Sequence, residues 1–506
     1  MKYTEYQLEQ AFIEFFQGQG YVYENGKNVA RTDKKEVLLK DNLQAFLLKS
    51  YPDLEAVEVK SILNEIAYQP ASNLYDSNKY ICKLLADGFA FKRNNPAKKD
   101  LHIRYIDVEN VENNIFKVVN QLEIQGSELR IPDIILYING IPVVVLELKT
   151  LINEEITIYD AFKQLTIRYK RDIPELLKYN VFCVISDGVN NKAGTLFSPY
   201  EFFYGWHKIT GDEPQALVGL ETTHSLIKGM FDKKRLVDII HHFVLFPDTS
   251  KKETKILCCY PQYYVANKLY QNIKQHRKPQ GDGKGGIYFG ATGCGKSFTM
   301  LYLTRLLMRS TDFSAPTIVI ISDRNDLDDQ LSRDFTNAKD FIGDEHILSI
   351  TSREDLREKL RGRESGGVFL TTIQKFSEDT DLLSERNNII CISDEAHRSQ
   401  INLDLKVKVN HEQNTVKKSY GFAKHLRDSL PNATFVGFTG TPIDKALEVF
   451  GGVVDSYTMF ESVKDEITVP LIYEGRAARV NLDNQKVQEI EEYYGNAVAE
   501  GASEYQ

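Results

Sequence analysis

Residues 131–149 read IPDIILYINGIPVVVLELK, and this stretch decides the fold of the first part of the chain. Asn139 and Gly140 separate two apolar runs, and both residue types tolerate the positive φ of a tight two-residue turn. The stretch therefore predicts a β-hairpin. Glu147 and Lys149 stand two residues apart on its second strand, so they project from one face, and the hairpin brings them toward Asp133.

Two carboxylates and a lysine on one face suit the hydrolysis of a phosphodiester. Asp133 and Glu147 can ligate Mg²⁺, which polarises a phosphate and lowers the pKa of a bound water. Lys149 can orient that water or stabilise negative charge on the phosphorane. Charged residues at a strand end are often simply solvent-exposed, but charge within a run such as VVVLELK is costly without a partner or a metal. We therefore expect all three residues to be catalytic, with the two carboxylates as metal ligands.

A second motif, GATGCGKS at residues 290–297, fits the phosphate-binding pattern G-x-x-x-x-G-K-[ST]. It follows the strand-like run GGIYF and precedes a helical run, which is the context that the motif requires. Its glycines allow backbone N–H groups to surround the phosphates of ATP at a helix N-terminus. We expect Lys296 to reach the β- and γ-phosphates and Ser297 to ligate Mg²⁺. The other nucleotide-binding residues expected in this loop are Gly290, Thr292, Gly293 and Gly295.

The sequence DEAH at residues 394–397 follows the apolar run IICIS. In a sheet that carries a phosphate-binding loop, this position places Asp394 on Mg²⁺ and Glu395 near the water that attacks ATP. We expect His397 to be a coupling residue, and a plain structural histidine is the alternative. Short apolar strands alternate with helices throughout this region, which favours a parallel sheet covered on both faces.

Length and composition limit the classes of protein to which the chain can belong. The 506 residues suggest several domains, 42% are hydrophobic and 26% charged, and no apolar run is long enough to cross a membrane. The start lacks the pattern of a signal peptide, so we expect a cytoplasmic protein with no membrane contact and six reduced cysteines. The net charge of −9 argues weakly against extensive DNA-binding surface but allows a local basic groove. Arg168, Lys170 and Arg171 are one candidate, and a solvated face is equally compatible with them.

Pro132-Asp133 and Glu147-Leu148-Lys149 resemble the signature of the PD-(D/E)xK nuclease superfamily. The downstream stretch AFKQLTIRYKRDIPELLKYN resembles the region after the nuclease motif in restriction subunits of type I restriction–modification enzymes. There a glutamine and a tyrosine on a helix help to position DNA or the active site, which implies this role for Gln164 and Tyr169. Their spacing is one residue longer than the usual Q-x-x-x-Y. Glu9 on the first predicted helix is similar in position to the upstream acidic residue of that family.

DEAH, with Thr439-Gly440-Thr441-Pro442 after a strand, resembles motifs II and III of superfamily 2 helicases. SDRNDLDDQL (322–331) and TTIQKF (371–376) look like the segments that contact the nucleic-acid backbone in that family, which implies such contacts for Arg324 and Thr372. Gln262 in YPQYYVANK resembles the glutamine that reads adenine.

Together these features resemble the restriction (R) subunit of a type I restriction–modification enzyme over nearly all of residues 1–470. The resemblance implies a PD-(D/E)xK endonuclease domain at 1–225, a linker at 226–260 and a first RecA-like helicase lobe with a parallel sheet at 261–470. It implies ATP and Mg²⁺ as cofactors, and as partners double-stranded DNA with methyltransferase (modification) and specificity subunits. The implied activity is ATP-dependent DNA translocation with endonucleolytic cleavage of unmodified DNA.

Residues 471–506 are expected to begin a truncated second lobe, so that this chain alone would bind ATP–Mg²⁺ weakly and hydrolyse it poorly. Two other functions stay open at this point. One is a standalone nuclease–helicase in DNA repair or phage defence, and the other is a non-catalytic DNA-binding or assembly module.

Overall fold

Two β-sheets, one built on each motif, organise the chain. The computed structural model describes residues 4–150, 157–215, 219–249, 252–323, 325–344, 347–376, 382–397, 406–410, 415–419, 422–441 and 444–469, with four isolated positions at 486, 488, 489 and 492. The expected start of a second lobe at 471–506 therefore lies almost wholly outside the described residues, as does Arg324.

The first half of the chain forms a six-stranded mixed sheet in the order β1-β4-β7-β8-β9-β10, with helices against it. Its helices are α1 (Glu5–Gly18), α2 (Lys40–Ser50), α3 (Ala56–Ala67), α4 (Leu74–Asp87), α5 (Ile158–Lys163), α6 (Lys170–Asp172), α7 (Pro174–Leu177), α8 (Leu220–Ser225) and α9 (Lys233–His242), with π-helical turns at Gln164–Tyr169 and Leu226–Met230. The strands of this half are β1 (Val22–Asn25), β2 (Phe89–Phe91), β3 (Leu101–Ile103), β4 (Phe116–Asn120), β5 (Ile124–Gln125), β6 (Leu129–Arg130), β7 (Ile134–Ile138), β8 (Ile141–Leu148), β9 (Phe182–Ser186), β10 (Asn191–Gly194), β11 (Val244–Leu245) and β12 (Ile256–Leu257). Outside the six-stranded sheet, β2 pairs with β3, β5 with β6 and β11 with β12.

The predicted hairpin is confirmed as the antiparallel pair β7 and β8 at the centre of this sheet. Asn139 and Gly140 have φ values of 50° and 81°, as a two-residue turn of this kind requires. A Cβ on Gly140 would lie 2.2 Å from the carbonyl oxygen of Leu39, so the turn also needs glycine for space. The side-chain amide of Asn139 stabilises the turn by donating a hydrogen bond of 2.8 Å to the Tyr105 carbonyl oxygen. Every residue of both strands is buried.

The second half forms a seven-stranded parallel sheet in the order β15-β16-β14-β17-β20-β13-β21. Its helices are α10 (Tyr260–His276), α11 (Lys296–Arg309), α12 (Asn325–Asn337), α13 (Lys339–Ile342), α14 (Arg353–Leu360), α15 (Phe422–Ser429), α16 (Asp444–Phe450) and α17 (Met459–Lys464). Its strands are β13 (Lys284–Gly290), β14 (Thr317–Ser322), β15 (Ile347–Ser349), β16 (Val368–Thr372), β17 (Ile389–Ser393), β20 (Thr434–Thr439) and β21 (Val453–Tyr457), and β18 (Lys406–Asn410) pairs separately with β19 (Thr415–Ser419).

This arrangement confirms the expected fold class, a mixed α/β domain followed by a parallel sheet that carries a phosphate-binding loop. Four strands of the seven are wholly buried, as continuous apolar runs covered on both faces require. Residues 226–260, expected as a linker, contain α9 and the two paired strands β11 and β12. The division into domains stays a prediction. Within the described part of the chain, no helix has both the length and the apolar character that a membrane crossing needs.

Candidate nuclease and nucleotide sites

The hairpin brings together the three residues expected to form the nuclease site. Asp133 precedes β7, and its Oδ2 accepts a hydrogen bond of 2.8 Å from the backbone N–H of Leu148, at the end of β8. Glu147 is only 1% exposed, and its Oε1 accepts from Lys149 Nζ at 2.8 Å. Leu148, between them, points the other way and is fully buried, which is the alternation that the sequence predicts.

Burial is the largest influence on the pKa values of Asp133 and Glu147. Desolvation, followed by the nearby charge of Glu147, raises the pKa of Asp133 to about 8. Burial also raises the pKa of Glu147, although Lys149 opposes the shift. Lys149 can neutralise only one of the two buried carboxylates, Asp133 and Glu147. A bound cation would therefore compensate the remaining negative charge.

A divalent metal fits this donor set. Carboxylate oxygens are the ligands that Mg²⁺ prefers, and a dication would offset the cost of holding both acids ionised. Among the residues that the structure describes, no group of three or more His, Cys, Asp or Glu side chains is arranged to hold a metal. Water and phosphate oxygens would therefore complete the coordination of a metal held by Asp133 and Glu147.

Gln164 and Tyr169 meet at the same carboxylate. Gln164 Nε2 donates to the Tyr169 hydroxyl at 2.9 Å, and that hydroxyl donates to Glu147 Oε2 at 3.0 Å. In an α-helix, residues five apart do not share a face, but residues 164–169 form a π-helical turn. The extra residue in the Q-x-x-x-x-Y spacing is thus absorbed by the wider turn. The spacing showed the extra residue, but a π turn has no clear signature in a single sequence.

The two acidic residues of α1 near the site, Glu5 and Glu9, have different partners. Glu9 is buried and accepts from the side-chain amides of Asn120 and Gln121, the latter at 2.7 Å. Glu5, one helical turn earlier and absent from the sequence-based predictions, lies 3.4 Å from Lys149 Nζ. Its position four residues before Glu9 on an amphipathic helix was the available signal.

The phosphate-binding loop connects β13 to α11 as the motif predicts. Gly293 and Gly295 have φ values of 85° and 82°, a backbone shape that favours glycine. Lys296 Nζ donates to the Gly290 carbonyl oxygen at 3.2 Å, so the lysine lies folded over the loop. Ser297 stands in the first turn of α11, and Thr292 of the loop is exposed. This cradle of backbone N–H groups, lysine and hydroxyl fits the phosphates of a nucleotide.

DEAH lies at the carboxyl end of β17, in the same sheet. Glu395 adopts a φ of 45°, and its N–H donates to Asp394 Oδ1 at 3.0 Å. His397 Nδ1 lies 2.8 Å from Thr439 Oγ1, so it connects this segment to the Thr439-Gly440-Thr441 turn. A Cβ on Gly440 would lie 3.3 Å from Thr292 Oγ1, which places that turn against the phosphate-binding loop.

The remaining predicted residues have distinct positions. Gln262 is buried at the start of α10, and its Nε2 lies 3.3 Å from the Gly295 carbonyl oxygen. It thus adjoins the nucleotide loop, and its contact with adenine stays a prediction. Thr372 is buried at the end of β16, where it pairs in register with Ser322, and its contact with DNA stays a prediction.

Family models match both halves of the chain. Residues 2–202 match the family described as type I restriction enzyme R protein N terminus, and residues 261–504 match the SWI2/SNF2 ATPase family. The chain is 37% identical over 501 residues to the type I restriction enzyme HindI endonuclease subunit of Haemophilus influenzae, covering 94% of this chain and 47% of that protein.

A second relative is the putative type I restriction enzyme MjaIXP endonuclease subunit of Methanocaldococcus jannaschii, 28% identical over 95% of this chain and 47% of that protein. The chain therefore spans about half the length of these curated relatives. Among solved structures, the ATP-dependent Type ISP restriction-modification enzyme LlaBIII bound to DNA aligns at a TM-score of 0.29, with 14% identity over 44% of this chain and 17% of that one.

Proposed function

This chain belongs to the family of type I restriction enzyme R proteins, and on that premise we propose that it carries the nuclease and the first motor lobe of an enzyme that translocates and cuts DNA. In this proposal ATP hydrolysis drives movement along unmodified double-stranded DNA, which the enzyme then cleaves endonucleolytically. The observation that carries it is the Glu147 carboxylate, buried opposite Asp133 and held between Lys149 and Tyr169.

Each nuclease residue has a separate task. Asp133 and Glu147 would hold Mg²⁺, which when bound polarises the scissile phosphate and acidifies a water. Lys149 is held by Glu147 and by the Leu148 carbonyl oxygen at 2.9 Å, so its ammonium is aimed into the site and can stabilise charge on the phosphate. Tyr169, anchored by Gln164, fixes the orientation of the Glu147 carboxylate.

The motor residues divide between phosphate binding and hydrolysis. Lys296 and the backbone of the loop would bind the ATP phosphates, while Ser297 and Asp394 would hold the Mg²⁺ that accompanies them. Glu395 would orient the attacking water, and His397 would relay the state of the site to the Thr439 turn, which its ring already contacts. We propose residues 1–225 as the nuclease domain and 261–470 as the motor lobe, joined through 226–260.

The partners follow from the family. The residues proposed for the two sites act on phosphates and metal ions, so we propose that modification and specificity subunits supply recognition of an unmethylated target. The relatives that carry the type I name are endonuclease subunits, and the chain aligns with about half of each.

The decisive experiment compares Glu147→Ala with Lys296→Ala in the full-length subunit assembled with its modification and specificity partners. ATP hydrolysis and cleavage of unmethylated circular DNA are measured together. We expect Glu147→Ala to abolish cutting and spare ATP turnover, whereas Lys296→Ala abolishes both. Cutting at the parent rate by Lys296→Ala would show a nuclease independent of ATP, as in a standalone repair or defence enzyme.

A further inference from the structure

An open cleft of about 450 Å³ adjoins the nuclease residues. It is lined by Glu5, Lys149, Asp160, Lys163, Gln164, Ile167 and Arg168. Arg168 is exposed and makes no hydrogen bond or ion pair with any described residue. The cleft therefore presents unpaired positive charge beside the carboxylates, although the chain as a whole is acidic.

From this cleft a row of four side chains, called here the cation–aromatic row, runs across the surface. Lys163 Nζ lies 5.1 Å from the centre of the Tyr159 ring. The Tyr159 ring centre is 5.1 Å from that of Tyr200, and Lys192 Nζ lies 5.3 Å from the Tyr200 ring. Lys163 belongs to both features, since it lines the cleft and covers the first ring.

Phe162 packs against both rings of the row. Phe162 stacks on Tyr159 with 5.6 Å between ring centres and meets Tyr200 edge-on at 5.5 Å. Beneath them Phe162 packs on the buried Phe203 at 5.2 Å. Tyr159 nevertheless remains 45% exposed, and no hydrogen bond of its hydroxyl occurs among the described residues. A base that stacks on Tyr159 would share the ring with Lys163 or take the place that the lysine holds over it.

The lysines of the row are held by exposed acids that a ligand can displace. Lys163 pairs with Asp160 at 2.8 Å, and both side chains are more than a third exposed. Lys192 pairs at 2.5 Å with Glu466, which is mostly exposed and follows α17 of the motor half. Ion pairs of this kind contribute little, so phosphate groups can exchange for the carboxylates. The Glu466 contact also brings the far end of the row to the motor half.

We propose that the cation–aromatic row binds an unpaired DNA strand and leads it into the nuclease cleft. Bases would stack on Tyr159 and Tyr200, while phosphates meet Lys163, Lys192 and Arg168. The alternation of rings and cations favours a single strand because base faces are free only when a strand is unpaired. The direction of the strand, toward the cleft, rests on the proposed nuclease function, whereas the binding itself does not.

The test measures binding of a fluorescein-labelled 20-nucleotide oligo(dT) and of a duplex of equal length to this chain, in EDTA to prevent cutting. We expect Tyr159→Ala to weaken oligo(dT) binding about tenfold and duplex binding less than twofold, since each stacked base contributes substantially. Tyr159→Phe should bind like the parent. The matched control is Tyr68→Ala, which removes a tyrosine that is 77% exposed and does not belong to the row.

Two results would overturn the proposal: Tyr159→Ala binding oligo(dT) as well as Tyr68→Ala does, or losing oligo(dT) and duplex equally. Should Tyr159→Ala fold poorly, photocrosslinking of 5-iododeoxyuridine oligonucleotide to the unaltered chain decides. Crosslinks at Tyr159 or Tyr200 support the row, and crosslinks confined to other peptides refute it. A nuclease assignment that fails in the Glu147→Ala experiment leaves these binding results unchanged, so the two failures are distinguishable.

Discussion

The surroundings of Glu147 show how single residues define the proposed chemistry. A carboxylate that is 1% exposed needs donors to remain ionised, and Lys149 and Tyr169 supply one to each oxygen. Lys149 and Glu147 could be predicted from the sequence because strand alternation is local. Tyr169 could be named only through a family resemblance, since the contact joins residues 22 apart.

Replacing Tyr169 with Phe should weaken cleavage while sparing the motor. The variant removes one hydrogen bond to a buried carboxylate, and bonds to charged groups contribute about 1.5–3 kcal/mol. In the assembled enzyme we expect cleavage to fall at least about tenfold, a higher Mg²⁺ concentration for half-maximal cutting, and unchanged ATP turnover. Tyr179→Phe is the matched control, because Tyr179 is equally buried but does not contact Glu147. Parent-like cleavage and Mg²⁺ dependence in Tyr169→Phe would contradict the positioning role.

At the scale of elements, the segment from α5 to α6 is a helix with one extra residue. The π turn at Gln164–Tyr169 takes up that residue, so the helix on either side keeps its packing. The spacing in the sequence showed a departure from Q-x-x-x-Y but could not show how the backbone absorbs it. That choice depends on Tyr169 being drawn to the buried Glu147, which is a tertiary interaction.

Deleting the exposed Ile167 should convert the π turn into a regular α-helix. Gln164 and Tyr169 would then be four positions apart and still on one face, so their hydrogen bond can persist. We expect cleavage by the assembled enzyme within about threefold of the parent, whereas Gln164→Ala, which removes the donor, should lose more. Insertion of an alanine after Ile167 is the opposite change and should abolish cleavage. A deletion variant as inactive as the insertion variant would show that the wider turn is itself required.

Helix α11 connects the phosphate-binding loop to helix α4 of the first half of the chain. It begins at Lys296 of the phosphate-binding loop, and at its other end Arg305 and Arg309 both bind Asp87, the last residue of α4. Arg305 is 3% exposed and also donates to the carbonyl oxygens of His241 and Phe341. No local pattern in the sequence indicates this cluster, because Asp87 and Arg305 are 218 residues apart.

Asp87→Asn should destabilise the whole compact unit of residues 1–468. The change leaves Arg305 buried without its counter-charge, and breaking such a pair costs about 3–5 kcal/mol. We expect Asp87→Asn to unfold at a clearly lower urea concentration than the parent, with unfolding monitored by circular dichroism. Asp248→Asn is the matched control, because Asp248 forms a half-exposed pair with Lys79 nearby and should cost less than about 1 kcal/mol. Equal urea midpoints for the two variants would contradict the prediction that the ion pairs of Asp87 with Arg305 and Arg309 stabilise the fold.

At the scale of the whole molecule, the sequence predicted both sheets and both motifs but not how they meet. Turn chemistry and the phosphate-binding pattern are local, so Asn139, Gly140 and Lys296 could be assigned directly. The strand order and the contacts of α9 and α11 with α4 arise from packing between distant segments. His241 belongs to that junction, where its Nδ1 donates to the Ala86 carbonyl oxygen and its own carbonyl accepts from Arg305.

This junction should make stability depend on pH in a way that His241→Gln reveals. Burial, with Arg305 and Arg309 nearby, lowers the pKa of His241 to about 4. An unfolded histidine near 6.5 takes up a proton as pH falls while the folded one stays neutral, so the stabilisation present above pH 6.5 is lost between 6.5 and 4. Glutamine cannot protonate, so between pH 7 and 5 the stability difference should shift toward the variant by on the order of 2 kcal/mol.

The measurement is urea unfolding of the parent and His241→Gln at several pH values, with only their difference interpreted. Taking the difference removes the other titrating groups, among them Asp133, whose raised pKa acts in the opposite direction. Between pH 7.5 and 8.5 the difference should be constant, because His241 is neutral in both states there. A difference that stays constant down to pH 5 would mean that His241 protonates equally in the folded and unfolded chain. The packing of α9 against the two arginines would then leave that histidine as accessible to protons as a solvated one.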